Sequence, residues 1–208
     1  FLRSPSCIVF MATLLGCGPG NTRTNGNSTA VVPVEKGKII GNVTCQKYYN
    51  ISYALYLPKN YTAARKFPVI IAFDPSGRGI LPLEKYKDLA DKYGYILMGS
   101  NDSKNGQDMN TSGVITDALF SETTGRYAID SNRIYVMGFS GGARIASMIG
   151  LYQGGVAGII GCGAGFPSTN QPVRFKPDYI SIAGNADFNM NELINLDKQL
   201  DQAQFTHA

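Results

Sequence analysis

Five short apolar runs constrain this chain more than any other feature: "FPVIIAF" (67–73), "YILMGS" (95–100), "RIYVMGF" (133–139), "VAGIIGCGAG" (156–165) and "DYISIAG" (178–184). Most lack polar alternation, the mark of strands buried on both faces. Helical patterns separate them. "LPLEKYKDLADKYG" (81–94) spaces Leu83, Tyr86, Leu89, Ala90 and Tyr93 along a helix face and closes at Gly94, a C-cap residue. A second helix is predicted from about Val114 to Tyr127, a third in "GGARIASMIGLY" (141–152), and a fourth in "NELINLDKQLDQAQF" (191–205), with Leu193, Leu196 and Leu200 on one face. Strand and helix in alternation predict an α/β fold, a mainly parallel sheet with helices on both faces. "KIIGNVTC" (38–45) and "ISYALYLP" (51–58) add an antiparallel pair at its start. With 208 residues and no internal repeat, the chain has room for one such domain, from 38 to 208.

In parallel sheets, ligands bind at the carboxyl ends of the strands. The residues that follow the apolar runs are therefore the candidates: Asp74–Gly79, Asn101–Ser103, Ser140, Gly163–Phe166 and Asn185–Phe188. Ser140 has the most specific surroundings. It follows a strand directly, precedes a helix directly, and has Gly138 and Gly142 two positions away on either side. So sharp a reversal strains the residue at its apex and presses helix against strand, which leaves space only for tiny flanking residues. The hydroxyl is lifted clear of the sheet, beneath the backbone N–H groups that open the helix. A phosphate-binding loop would carry Lys-Ser/Thr after its glycines, where Ala143-Arg144 stands instead. Gly138-Phe139-Ser140-Gly141-Gly142 thus reads as a nucleophile elbow, G-x-S-x-G, in its strand–turn–helix setting.

On these residues, and on the longer stretch "AIDSNRIYVMGFSGGARIA", the chain from about residue 38 onward resembles the α/β-hydrolase family. It is most similar there to secreted esterases of the feruloyl-esterase and polyhydroxyalkanoate-depolymerase type. The resemblance implies a Ser–Asp/Glu–His triad in that chain order and an oxyanion hole of two backbone N–H groups. It assigns the nucleophile to Ser140 and the first oxyanion donor to Gly141. The second donor belongs to the loop after "FPVIIAF". Many relatives have His-Gly there, but this chain has Asp74-Pro75-Ser76-Gly77. Pro75 has no N–H, which leaves Ser76, with Gly77 as the alternative. Asp187 in "GNAD" takes the acid position; the competing reading is a solvated loop residue or a helix N-cap.

The base is the gap in this scheme. The sequence holds one histidine, His207. It lies where the last strand of the family's sheet would begin, before the loop that carries the base in relatives. The expectation is a domain lacking its last strand, with the base encoded beyond Ala208 and His207 a surface residue. The resemblance implies a serine hydrolase of carboxylic esters that needs no cofactor. The alternatives are a peptidase of the prolyl-oligopeptidase type and a lipid-anchored binding protein on a hydrolase scaffold that has lost its chemistry.

The N-terminus differs in kind. "FLRSPSCIVFMATLLGC" places Arg3 before an apolar run, Cys7–Leu15, which is shorter than the roughly 20 residues that span a bilayer. It fits the apolar core of an export signal that begins within its own sequence. Leu14-Leu15-Gly16-Cys17 resembles the lipobox of bacterial lipoproteins, which implies lipidation at Cys17. A partial signal (1–17) and a polar, flexible tether (18–37) then precede the domain. The expected location is outside the cytoplasm, periplasmic or at the cell surface, with only the lipid in the membrane. Cys45 and Cys162 are expected to be plain buried thiols. A lone histidine excludes the usual zinc spacings. The net charge of +4 arises from 19 basic and 15 acidic residues scattered along the chain, with no basic run interleaved with aromatics, so a nucleic-acid partner is not expected.

Overall fold

The computed structural model describes residues 35–165 and 173–208. Cys17, the apolar run before it and most of the 18–37 tether lie outside the described residues, as does Phe166. In chain order the elements are β1 (Ile39–Thr44), β2 (Ser52–Tyr56), β3 (Phe67–Phe73), α1 (Ile80–Tyr93), β4 (Ile96–Ser100), α2 (Met109–Arg126), β5 (Ile129–Phe139), α3 (Gly141–Met148), β6 (Gly158–Cys162), β7 (Asp178–Ile182) and α4 (Met190–Gln202). A π-helical turn, Ile149–Gln153, extends α3.

The strands form one sheet in the order β1-β2-β4-β3-β5-β6-β7. β1 and β2 pair antiparallel, as does β2 with β4, and every later pairing is parallel. Successive strand residues point to opposite faces, so each strand feeds two cores. On one face Val69 and Ile71 of β3, Val136 of β5, Ile159 of β6 and Tyr179 of β7 meet α2, α3 and α4. Leu193, Leu196 and Leu200 dock α4 there, each contributing about 1.5–3 kcal/mol of apolar burial. On the other face Ile70 and Leu97 meet Leu83 and Ala90 of α1. The chain leaves β3 through α1 on one face and β5 through α3 on the opposite face. The carboxyl ends of β3 and β5 therefore flank a topological switch point, where such sheets open a crevice.

A buried polar group ties the antiparallel end to α2. Glu122 accepts from the Tyr53 hydroxyl (3.1 Å), the Gln46 N–H (2.9 Å) and Arg126 (2.7 Å). Full satisfaction makes this buried carboxylate tolerable.

Two boundaries differ from the sequence reading. α2 begins at Met109, five residues before Val114, because Asp108 caps it and accepts the Thr111 N–H at 2.9 Å. The residues Asn110 to Gly113 are small or polar, so hydrophobic spacing gave no sign of that first turn. At the other end, Thr206–Ala208 run alongside β7 in parallel. The Tyr179 N–H donates to Thr206 O, the Ala208 N–H to Tyr179 O and the Ser181 N–H to Ala208 O. Three residues thus occupy the eighth position of the sheet.

Cys45 and Cys162 are free thiols, one fully and one partly buried. They stand five strand positions apart, about 24 Å at the usual spacing, far beyond disulfide reach. Among the described residues, no helix is long and apolar enough to cross a membrane.

Candidate active site

Ser140 occupies a backbone conformation that residues with side chains rarely adopt, φ 52° and ψ −119°. Such a residue costs on the order of 1–3 kcal/mol and persists only where its surroundings hold it. They do so here. The Ser140 N–H donates to Cys162 O at 2.8 Å, and its carbonyl accepts from Ala143 (2.9 Å) and Arg144 (3.3 Å) in the first turn of α3. A β-carbon on Gly138 would overlap the backbone of Gly142, and one on Gly142 would overlap the carbonyl of Phe73 at the end of β3. Gly138 and Gly142 are therefore the contact surface between helix and sheet. Ser140 itself is partly exposed, with Phe139 beside it 56% exposed. The Gly141 N–H opens α3, where the first four N–H groups have no partner within the helix.

The loop after β3 behaves differently. Asp74 is buried at its head and gathers the loop around its carboxylate. Oδ1 accepts the Ser76 N–H at 2.9 Å, the Arg78 N–H at 3.4 Å and Arg78 Nε at 2.9 Å, while Oδ2 takes Arg78 Nη2 at 2.9 Å. The Gly77 N–H donates to the Asp74 carbonyl at 3.1 Å. Burial pushes the Asp74 carboxyl up, but the Arg78 side chain and the two N–H donors outweigh it and hold it below the usual carboxylate range. The donors expected at Ser76, or else Gly77, thus both point inward, to Asp74.

Asp187 stands five residues beyond β7, which lies two strands from β5 in the sheet. Its Oδ1 accepts the Asn189 N–H at 2.8 Å, and the Asn189 side chain donates to Gly163 O at 2.7 Å, which fixes the turn. Its Oδ2 lies over Gly163, 3.1 Å from where a β-carbon would sit, and the Phe139 ring closes on the same point at 3.2 Å. Serine and carboxylate thus share one rim of the sheet, with Asp187 Oδ2 over the Gly163 that follows β6.

His207 lies away from that rim. It pairs opposite Tyr179, near the start of β7, whereas the rim lies past Ile182. Its Nδ1–H donates to Phe205 O at 3.0 Å, and Nε2 faces Asp197 (3.3 Å) and Asp201 (3.6 Å) on α4.

The sequence reading missed two features. Arg144, in the first turn of α3, forms a bidentate pair with Glu192 of α4, whose Oε1 also takes the Gly165 N–H at 3.0 Å. The Arg144 bonds hold Glu192 below the usual carboxylate range. This pair clamps the elbow helix to the helix that follows Asp187. The second is Asn105, just past the window 101–103, whose amide lies against Gly141. No local signal marks either contact, because each joins residues distant in sequence.

Two clefts flank the elbow. One, of about 300 Å3, runs past Gly138 and Phe139 and is walled by Phe73, Leu81, Tyr86 and Cys162. The other, of about 210 Å3, lies beside Gly141 and is lined by Asn105, Met109, Arg144 and Met148. Among the described residues, no group of three His, Cys, Asp or Glu side chains could hold a metal ion.

No protein-family model matches the sequence, and no curated protein matches it. Solved structures do. A thermostable esterase gives a TM-score of 0.59 at 16% identity, over 80% of this chain and 52% of that one, so the chain spans about half the length of that esterase. S-formylglutathione hydrolase FrmB from Staphylococcus aureus gives 0.67 at 10% identity, over 84% and 88% of the two chains. A ferulic acid esterase from Anaeromyces mucronatus gives 0.61 at 14% identity, over 82% and 80%. At such identities the likeness is one of fold. The chain has the α/β-hydrolase fold, in the form that these esterases share.

Proposed function

We propose that the protein is a serine hydrolase acting on carboxylic esters through an acyl-enzyme on Ser140. The observation that carries this reading is the positive φ of Ser140 at a switch-point crevice, held by glycines that no larger residue could replace. A base takes the Oγ proton as the oxygen attacks the ester carbonyl carbon. The carbonyl oxygen gathers negative charge, which the Gly141 N–H stabilises. The alcohol leaves with the proton from the base, and water, deprotonated by the same base, then frees the acid and restores Ser140. Asp187 would orient that base and stabilise its cation. Apolar walls at Phe73, Leu81 and Phe139 suit an acyl chain or aromatic ring. The named esterases of similar fold support the same class.

One observation favours a second reading, a binding protein on a hydrolase scaffold: His207 faces α4 and not Ser140. The reading as an enzyme needs a base that His207 does not supply, so the test uses the product of the complete gene. A fluorophosphonate probe and p-nitrophenyl acetate separate the two. The enzyme is labelled at Ser140 and hydrolyses the ester. Ser140→Ala loses the label, and its kcat falls on the order of a million-fold. Undiminished hydrolysis by Ser140→Ala would refute the nucleophile, and an unlabelled wild type would favour the binding protein. A peptide p-nitroanilide assayed in parallel distinguishes the peptidase alternative.

A further inference from the structure

An oxyanion hole needs two donors, and in the loop after β3 the N–H groups of residues 76 to 78 are all engaged. Pro75 lacks an N–H, those of Ser76 and Arg78 go to the Asp74 carboxylate, and that of Gly77 goes to the Asp74 carbonyl. Gly79 lies buried against Gly99 and Asn101, on the side away from the elbow. We propose that the side-chain amide of Asn105 supplies the second donor, opposite the Gly141 N–H. The proposal rests on Ser140 as the nucleophile.

Three observations place Asn105 there. Its loop is pinned to the loop that would otherwise serve: the Asn105 N–H donates to Pro75 O at 2.9 Å, and Lys104 forms an antiparallel bridge with Ser76. Its amide stands so close to Gly141 that a β-carbon there would overlap it, with Oδ1 the nearest atom and Nδ2 3.2 Å from that point. The amide also has no hydrogen-bond partner among the described residues, although the polar side chains around it, Asp74, Arg144 and Gln107, are all engaged. A half-turn about the Cβ–Cγ bond exchanges its oxygen and nitrogen, so either N–H can be presented beside Gly141. The side chain is exposed and lines the cleft next to Gly141, so a substrate can reach it. Asn105 would act as a catalytic residue, since its N–H touches the reacting carbonyl oxygen. It would replace a backbone donor that Asp74 has withdrawn.

The test compares Asn105→Ala and Asn105→Asp with Ser140→Ala and Lys104→Ala in the complete gene product. An oxyanion donor acts in the transition state, so both Asn105 variants lose kcat on the order of 100-fold while KM stays within about threefold. The rate of fluorophosphonate labelling falls by a similar factor, because the phosphonyl oxygen enters the same place. Lys104→Ala, in the same loop, stays within about threefold on every measure. If both Asn105 variants keep kcat within threefold while Ser140→Ala is silent, Asn105 is not the donor and the nucleophile stands. A rise in KM alone makes Asn105 a ground-state contact and also overturns the proposal. Full activity in Ser140→Ala defeats the nucleophile itself, and this proposal with it.

Discussion

The turns after β3 and β5 lie side by side at one rim of the sheet, each leading from a buried strand toward a helix, yet they treat their backbone N–H groups in opposite ways. After β5 there is no loop at all. The chain reverses at Ser140 through a strained conformation, and the Gly141 N–H that opens α3 has no partner within the helix. After β3 the chain takes six residues, Asp74 to Gly79, and a buried carboxylate collects the donors of its own loop. The first turn is held by steric exclusion, the second by electrostatics. A turn that satisfies its own polar groups is stable but chemically silent; one kept unsatisfied by packing can bind an anion.

Three substitutions would break or sharpen this contrast. Gly142→Ala has the largest expected effect. Its β-carbon would meet the Phe73 carbonyl, so backbone must shift, at a cost of about 3 kcal/mol. The urea midpoint should fall with an unchanged slope, and the fluorophosphonate label should be lost with it. A variant as stable as wild type would show that the elbow is not held by exclusion.

Asp74→Asn comes next, at about 2 kcal/mol, because the buried bonds from Arg78 and the Ser76 N–H lose their charged acceptor. Its pH dependence is the sharper sign. The folded Asp74 carboxyl lies below its unfolded value, so the stability it contributes is present above about pH 4 and fades as the pH falls through the folded value. The difference between wild type and Asp74→Asn should therefore shrink below about pH 4. A difference that stayed constant across this range would mean that charge does not hold the loop.

Ser76→Ala has the smallest effect, within about 0.5 kcal/mol of stability and twofold in kcat. Ser76 serves its loop through its backbone N–H, which alanine keeps, and its exposed hydroxyl makes no hydrogen bond among the described residues. A large loss of activity would place that hydroxyl in the crevice and erase the contrast between the two turns.

The same division runs through what could be read in advance. The elbow was legible because its causes are local: Gly138, Ser140 and Gly142 lie within five residues, between an apolar run and a helical pattern. The mainly parallel sheet, the antiparallel pair at its start and the C-cap at Gly94 were legible for the same reason. Asp187 could be placed beyond the strand that precedes it, though not the contacts that set its carboxylate over Gly163. The first turn of α2 escaped, since a cap at Asp108 and not apolar spacing defines it. The loop motif points to Ser76 because Pro75 lacks an N–H, but it carries no sign of the Asp74 carboxylate that engages the Ser76 N–H.

The sequence alone thus determined the order of strands and helices and the residue that sits at the sharpest bend, because periodicity and glycine spacing act over a few residues. Only the tertiary structure decided which N–H groups face the crevice, that Asn105 stands against Gly141, that Arg144 meets Glu192, and that His207 turns to Asp197 and Asp201. These contacts join segments 36 to 48 positions apart or, for His207, depend on how the last residues lie against β7. Hydrogen bonds and charge pairs of this kind are set by where strands and loops come to rest in space, which no local pattern encodes.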